Sequence, residues 1–136
     1  MSTPFTLIKI ISGGQSGVDR GALDAALALG FHCGGCCPKG RLAEDGPIDA
    51  RYPLHELASA HYQDRTEQNV IDSDATLIIT GGRLEGGTRL TMELALKQDK
   101  PCLVTDLRRP TAITELQTQL SALDVKVLNV AGPRES

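Results

Sequence analysis

Tryptophan is missing from this chain, and two Tyr and two Phe supply all of its aromatic content, 3% of the residues. So few rings leave little on which to stack the bases of a nucleic acid or the faces of sugars. A cationic excess is missing too: 14 Lys and Arg stand against 17 Asp and Glu, for a net charge of −3. That balance speaks against nucleic-acid polymers and membrane surfaces as partners. No apolar run approaches membrane-spanning length, and the amino terminus lacks a cationic secretory leader, so the expectation is a soluble, cytoplasmic protein. Cysteine is sparse. Cys33, Cys36, Cys37 and Cys102 lack a second ligand pair at zinc-site spacing, and His32 is the only imidazole nearby. They read as buried reduced thiols, with no dedicated metal site.

What is present has the rhythm of an α/β domain. At 136 residues the chain suits a single domain spanning 1–136. Strands are expected at residues 5–11, 31–36, 75–80, 101–105 and 125–129, where apolar and β-branched residues cluster. Helices are expected over 16–29, from about 59 or 64 to 71, over 88–98, and after Pro110. The first should bury Val18, Ala22, Ala25 and Leu29, with Gly30 as its stop, and the last should bury Ile113, Leu116, Leu120 and Leu123. In the third, Glu93 and Lys97 are spaced for an ion pair. Residues 38–57 show no periodicity and read as a long loop, a kind that is more often functional than idle. Alternating strands and helices predict an open, mostly parallel sheet with helices on both faces and a ligand site beyond the strands' carboxyl ends.

Three unusual loops follow strands and should share that rim. The first, Ser12-Gly13-Gly14-Gln15-Ser16-Gly17, can turn tightly, and Ser16 can cap the next helix, whose amides favour an anion. It carries no Lys-Ser/Thr pair for a Walker A loop, and Ser12 stands where a dinucleotide fingerprint needs glycine. The second loop contains Gly81, Gly82, Gly86, Gly87 and Thr88, again ahead of a helix. Lys39 and Arg41 follow the second strand, and the chain closes with Asn129-Val130-Ala131-Gly132-Pro133-Arg134-Glu135-Ser136. Together these cations would create a local positive field suited to a small anionic ligand. Arg65 and Asn69 lie four apart on one helix face, fit either for ligand contact or for solvent, and His55 and His61 read as surface groups.

The stretch from Gly13 through Arg20 to Asp24, the stretch from Cys37 to Gly46, Gly86-Gly87-Thr88 and the terminal segment resemble the molybdenum cofactor carrier family across essentially the whole chain. The resemblance implies a Rossmann-like three-layer α/β/α fold related to the lysine-decarboxylase-like, or LOG, proteins. It implies a homo-oligomer, dimer or tetramer, that holds molybdenum cofactor (molybdopterin) as cargo, with molybdoenzymes as recipients. The expected ligand-binding set is Gly13, Gly14, Gln15, Ser16, Gly17, Arg20, Lys39, Arg41, Gly81, Gly82, Gly86, Gly87, Thr88, Asn129, Gly132, Arg134 and Glu135. The related LOG enzymes, which release base from nucleoside monophosphates, offer a second reading, and nucleotide-derivative sensing a third. In the hydrolase motif a glutamate falls three residues after the threonine, where this chain has Thr91. Glu93 comes two positions later, about 200° around the helix.

Overall fold

A computed structural model describes residues 7–82, 84 and 86–134. The elements run β1 (Lys9–Ile11), α1 (Val18–Ala28), β2 (Cys33–Gly34), β3 (Cys36–Cys37), β4 (Leu42–Ala43), β5 (Gly46–Pro47) and β6 (His55–Glu56). They continue with α2 (Tyr62–Ile71), β7 (Ala75–Ile79), α3 (Gly86–Lys97), β8 (Cys102–Thr105), α4 (Ala112–Leu123) and β9 (Val127–Ala131). Five strands form one parallel sheet in the order β2-β1-β9-β7-β8. The last strand therefore lies in the middle, with Ile10 and Ala75 both opposite Leu128.

Helices cover both faces. Leu77, Leu128 and Val130 pack with Val18 and Ala22 of α1 and with Leu116 and Leu120 of α4. Val70 of α2 packs with Leu90, Leu94 and Ala95 of α3 against Cys102. Neighbouring residues on a strand point to opposite faces. Leu103 joins the first cluster and Cys102 the second, so the two helix pairs sit on opposite sides. Lys100 closes the end of α2, its ammonium donating to the carbonyls of Val70, Ile71 and Ser73, where a cation also complements the helix dipole. Among the described residues no helix is long and apolar enough to cross a membrane.

Several boundaries differ from the sequence expectation, each for a local reason. The expected strand over 31–36 is broken at Gly35, where φ is +128° and a Cβ would lie 2.0 Å from the Ser12 carbonyl oxygen. Beyond it Cys36 and Cys37 pair with His55 and Glu56 instead of continuing the main sheet. Of the expected α1 stripe Val18 and Ala22 pack on the core, but Ala25 is exposed and Leu29 is 81% exposed, and the fully buried positions are Asp19, Leu23 and Ala26. In α4, Leu120 is buried but Ile113 and Leu123 face solvent. Glu93 pairs with Arg89 at 3.3 Å, and Lys97 reaches Glu67 of α2 at 3.7 Å. The strand expected to end at residue 129 runs on to Ala131.

Residues 38–57 are not an open loop. Ala43, Ile48 and Tyr52 bury together with Leu23 and Cys37. The Arg41 guanidinium organises the segment by donating to the carbonyls of Ile48, Asp49, Tyr52 and Leu54 at 2.8–3.3 Å. Tyr52 donates from its hydroxyl to Asp24 at 2.6 Å, tying the segment to α1.

Candidate functional site

The sheet order reverses around β9, and open α/β sheets place their ligand crevices at such a point. A cleft of about 530 Å³ lies there, walled by residues that follow β1 (Gln15), β7 (Gly86, Gly87, Thr88) and β9 (Gly132, Pro133, Arg134). Asp19, Arg65, Thr66, Thr91 and Ala131 complete the lining. Six of the expected ligand residues thus share one cavity: Gln15, Gly86, Gly87, Thr88, Gly132 and Arg134.

A buried ion pair forms the floor. Arg65 Nη1 stands 3.4 Å from Asp19 Oδ2, with 11% and 7% of the two side chains exposed. Burial pushes the Asp19 carboxyl up to about 6, while Arg65 and the Gln15 backbone amide pull the other way. Gly13 makes room for this arginine: a Cβ at position 13 would lie 2.0 Å from Nη1. At the mouth, Arg134 stacks its guanidinium 4.9 Å over the Tyr62 ring and reaches toward Glu44 at 3.9 Å.

The amino end of α3 opens onto the same space. Gly86 takes φ +51°, and a Cβ on Gly87 would meet nothing within 4 Å. Thr91 donates its hydroxyl to the Gly87 carbonyl at 2.8 Å, so the wall at that position carries no carboxylate. Glu93 is exposed, paired with Arg89 and outside the cleft lining.

The first glycine loop is used differently from the expectation. The amide of Ser16 donates to the Glu44 carboxylate at 2.8 Å, and the Ser16 hydroxyl donates to the same oxygen. Burial works against the charge on Glu44, yet the Ser16 hydroxyl and the neighbouring amides outweigh it and hold the carboxyl below its ordinary range. The amide of Val18 donates to Pro133. The anion at the start of α1 is therefore a carboxylate of the protein itself. Gly14 and Gly17, with φ +75° and +79°, shape the turn.

Other expected residues lie elsewhere. Arg20 forks onto Asp45 at 2.5 and 3.0 Å and also donates to the Gly14 carbonyl. Arg41 is committed to its four carbonyls, and Lys39 is exposed outside the lining. Gly81 lies against Arg108 in a separate groove, and Gly82 is exposed beside it. Asn129 is buried within β9, its amide donating to Thr76 Oγ1 at 3.3 Å. Glu135 lies outside the described residues. Asn69, on the helix face of Arg65, binds both the amide and the carbonyl of Cys36 and so anchors β3. His55 pairs within β6, and His61 precedes α2. Burial and Asp72 push the Cys36 thiol up to about 11. Among the described residues no group of three or more His, Cys, Asp or Glu is placed to hold a metal ion.

Asp19 is the chief addition to the expected set, and of the two readings of Arg65, ligand contact or solvent, its place in the cleft lining favours the first. Asp19 had a sequence signature after all: it stands four and seven residues before Leu23 and Ala26, a carboxylate on a buried helical stripe.

A parallel sheet with helices on both faces and a glycine-walled crevice at its switch point defines a Rossmann-like α/β domain. The chain belongs to the circularly permutated YpsA SLOG family, whose pattern matches residues 10–136. It is similar to a crystal structure named "Putative molybdenum carrier protein" from Syntrophus aciditrophicus SB. The two are 47% identical with a TM-score of 0.93, over 96% of this chain and 84% of that one. A match to (E)-4-hydroxy-3-methyl-but-2-enyl diphosphate reductase, at 10% identity and TM-score 0.37 over 96% of this chain and 54% of that one, carries no argument. No curated protein matches the chain.

Proposed function

We propose that this protein carries molybdenum cofactor, binding an anionic phosphorylated pterin in the switch-point cleft and sheltering it without turnover. The observation that carries this reading is the convergence of Arg65, Arg134 and the amino end of α3 on one cavity of a chain with net charge −3. The first-turn amides and the helix dipole at Gly86, Gly87 and Thr88 favour a phosphate there. The likeness to a protein named as a carrier agrees with it. Hydrolysis of a glycosidic bond would call for a carboxylate on the α3 wall, and Thr91 occupies that position. Handing the cargo to molybdoenzymes, and assembly as a dimer or tetramer, belong to the same reading.

The test is anaerobic loading with purified molybdopterin, followed by gel filtration. Wild type should retain the pterin, whereas the Arg134→Ala, Gly87→Asp double variant should lose it while keeping its urea unfolding midpoint. Equal retention by the two proteins overturns the proposal.

A further inference from the structure

The deep wall of the cleft has unfilled hydrogen-bonding capacity, and it is unbalanced toward acceptors. Gln15 is 2% exposed, and its amide orientation is fixed because Nε2 donates to the Leu42 carbonyl at 3.1 Å. Turning the amide over would set two oxygens against each other. Oε1 is consequently the free end of the amide of this cleft-lining residue, and it is buried with no partner among the described residues. Asp19 lines the same wall and is 5% exposed. A carboxylate has about four acceptor positions. Here Arg65 occupies one, at the long distance of 3.4 Å, and the Gln15 backbone amide contributes another. On the donor side, Arg65 Nε is buried without a partner among the described residues. Leaving such buried groups unmet is unfavourable, so a ligand that meets them is favoured over one of equal size that does not.

Resting on the anion-binding reading above, we propose that Gln15 and Asp19 form a recognition wall for a heterocycle edge that carries two neighbouring N–H donors beside a carbonyl. The 2-amino-4-oxo pyrimidine edge common to pterins and guanine has this pattern. Its ring N–H and amino group face the Gln15 oxygen and the Asp19 carboxylate, and its carbonyl faces Arg65. An adenine edge offers one amino group and a bare ring nitrogen, and hypoxanthine lacks the amino group altogether. Either leaves an acceptor of the wall unmatched.

The test uses calorimetric titration of the intact chain at pH 7.5 with GMP, IMP, AMP and inorganic pyrophosphate. GMP should bind at least about tenfold more tightly than IMP or AMP, since sites built on buried polar groups reject analogues that leave them unpaired. Asp19→Asn should bring the GMP and IMP affinities within about threefold of each other while pyrophosphate still binds. Gln15→Met provides a second variant should Asp19→Asn fold poorly, and the wild-type comparison needs no variant. Equal affinity for GMP, IMP and AMP, with pyrophosphate bound, overturns the wall and leaves the anion site standing. Failure of all four probes to bind overturns both.

Discussion

Replacing Gly13 with alanine would place a methyl group inside the Arg65 side chain. The new Cβ would lie 2.0 Å from Nη1, 2.7 Å from Cζ and 2.8 Å from Cδ. Because Cδ is overlapped as well as the tip, a small swing of the guanidinium cannot relieve the contact. The backbone contributes nothing, since Gly13 is not among the positive-φ glycines. Overpacking of this kind costs about 1–3 kcal/mol. Displacing Arg65 also removes the partner of a buried carboxylate. Asp19 escapes by protonation, which at pH 7 costs about 1.4 kcal/mol for a group poised near 6. The expected loss is about 2–4 kcal/mol, read from urea unfolding at pH 7. In an Arg65→Ala background the same methyl should cost under about 0.5 kcal/mol, which isolates the contact as a coupling energy. Gly87→Ala is the counterpart. Its methyl meets nothing within 4 Å, so stability should hold or rise by up to about 1 kcal/mol while pterin retention falls. A Gly13→Ala protein as stable as wild type, or one destabilised equally with and without Arg65, refutes the seating of Arg65 on this loop.

Sulfate keeps its charge between pH 5 and 8, so any pH dependence of its binding belongs to the protein. As pH falls through about 6, Asp19 is neutralised, while Glu44, held below its ordinary range, stays ionised. Affinity for sulfate should therefore rise on acidification, by roughly three- to tenfold between pH 7.5 and 5, and stay flat in Asp19→Asn. A flat wild-type titration contradicts the assignment. Arg41→Ala removes a guanidinium from four carbonyls and should cost about 3–5 kcal/mol, with amide-exchange protection lost first over residues 38–57. An unchanged unfolding midpoint would show that the segment holds without it. Glu93→Ala removes an exposed pair and should alter stability by less than about 0.5 kcal/mol and pterin retention not at all. Loss of retention would place Glu93 in the site.

The alternation of strands and helices in the sequence was enough to give the parallel sheet and the rim on which its loops meet. Finer features were hidden wherever a polar residue does an interior job. Asp19 sits on the buried face of α1 beside the apolar stripe that Val18 and Ala22 begin, so a stripe of apolar residues alone missed the cleft's carboxylate. Asn129 stood at the last position of the expected strand and read as a ligand contact, but β9 runs on past it to Ala131, and its pairing with Ile11 and Thr76 keeps it inside the sheet. Lys39, Arg41 and Arg20 followed strands or glycine loops as ligand cations would, and charge in a sequence does not reveal its partner. Two of the three are claimed by carbonyls and a carboxylate of the chain itself.

The central position of β9 bears on how the molecule is made. Until β9 arrives, β1 and β7 each present an unpaired edge, and open edges of that kind invite pairing with other chains. Closing the gap joins Lys9 to Val127 and Ala75 to Leu128, contacts of long sequence separation that slow folding. The sheet and the cleft are thus completed in one late event, when the strand leading into Gly132 and Arg134 slides into place. A nascent chain cannot close the sheet or wall the cleft until Val127–Ala131 has been made, after β7 and β8 have already paired into a second half-sheet.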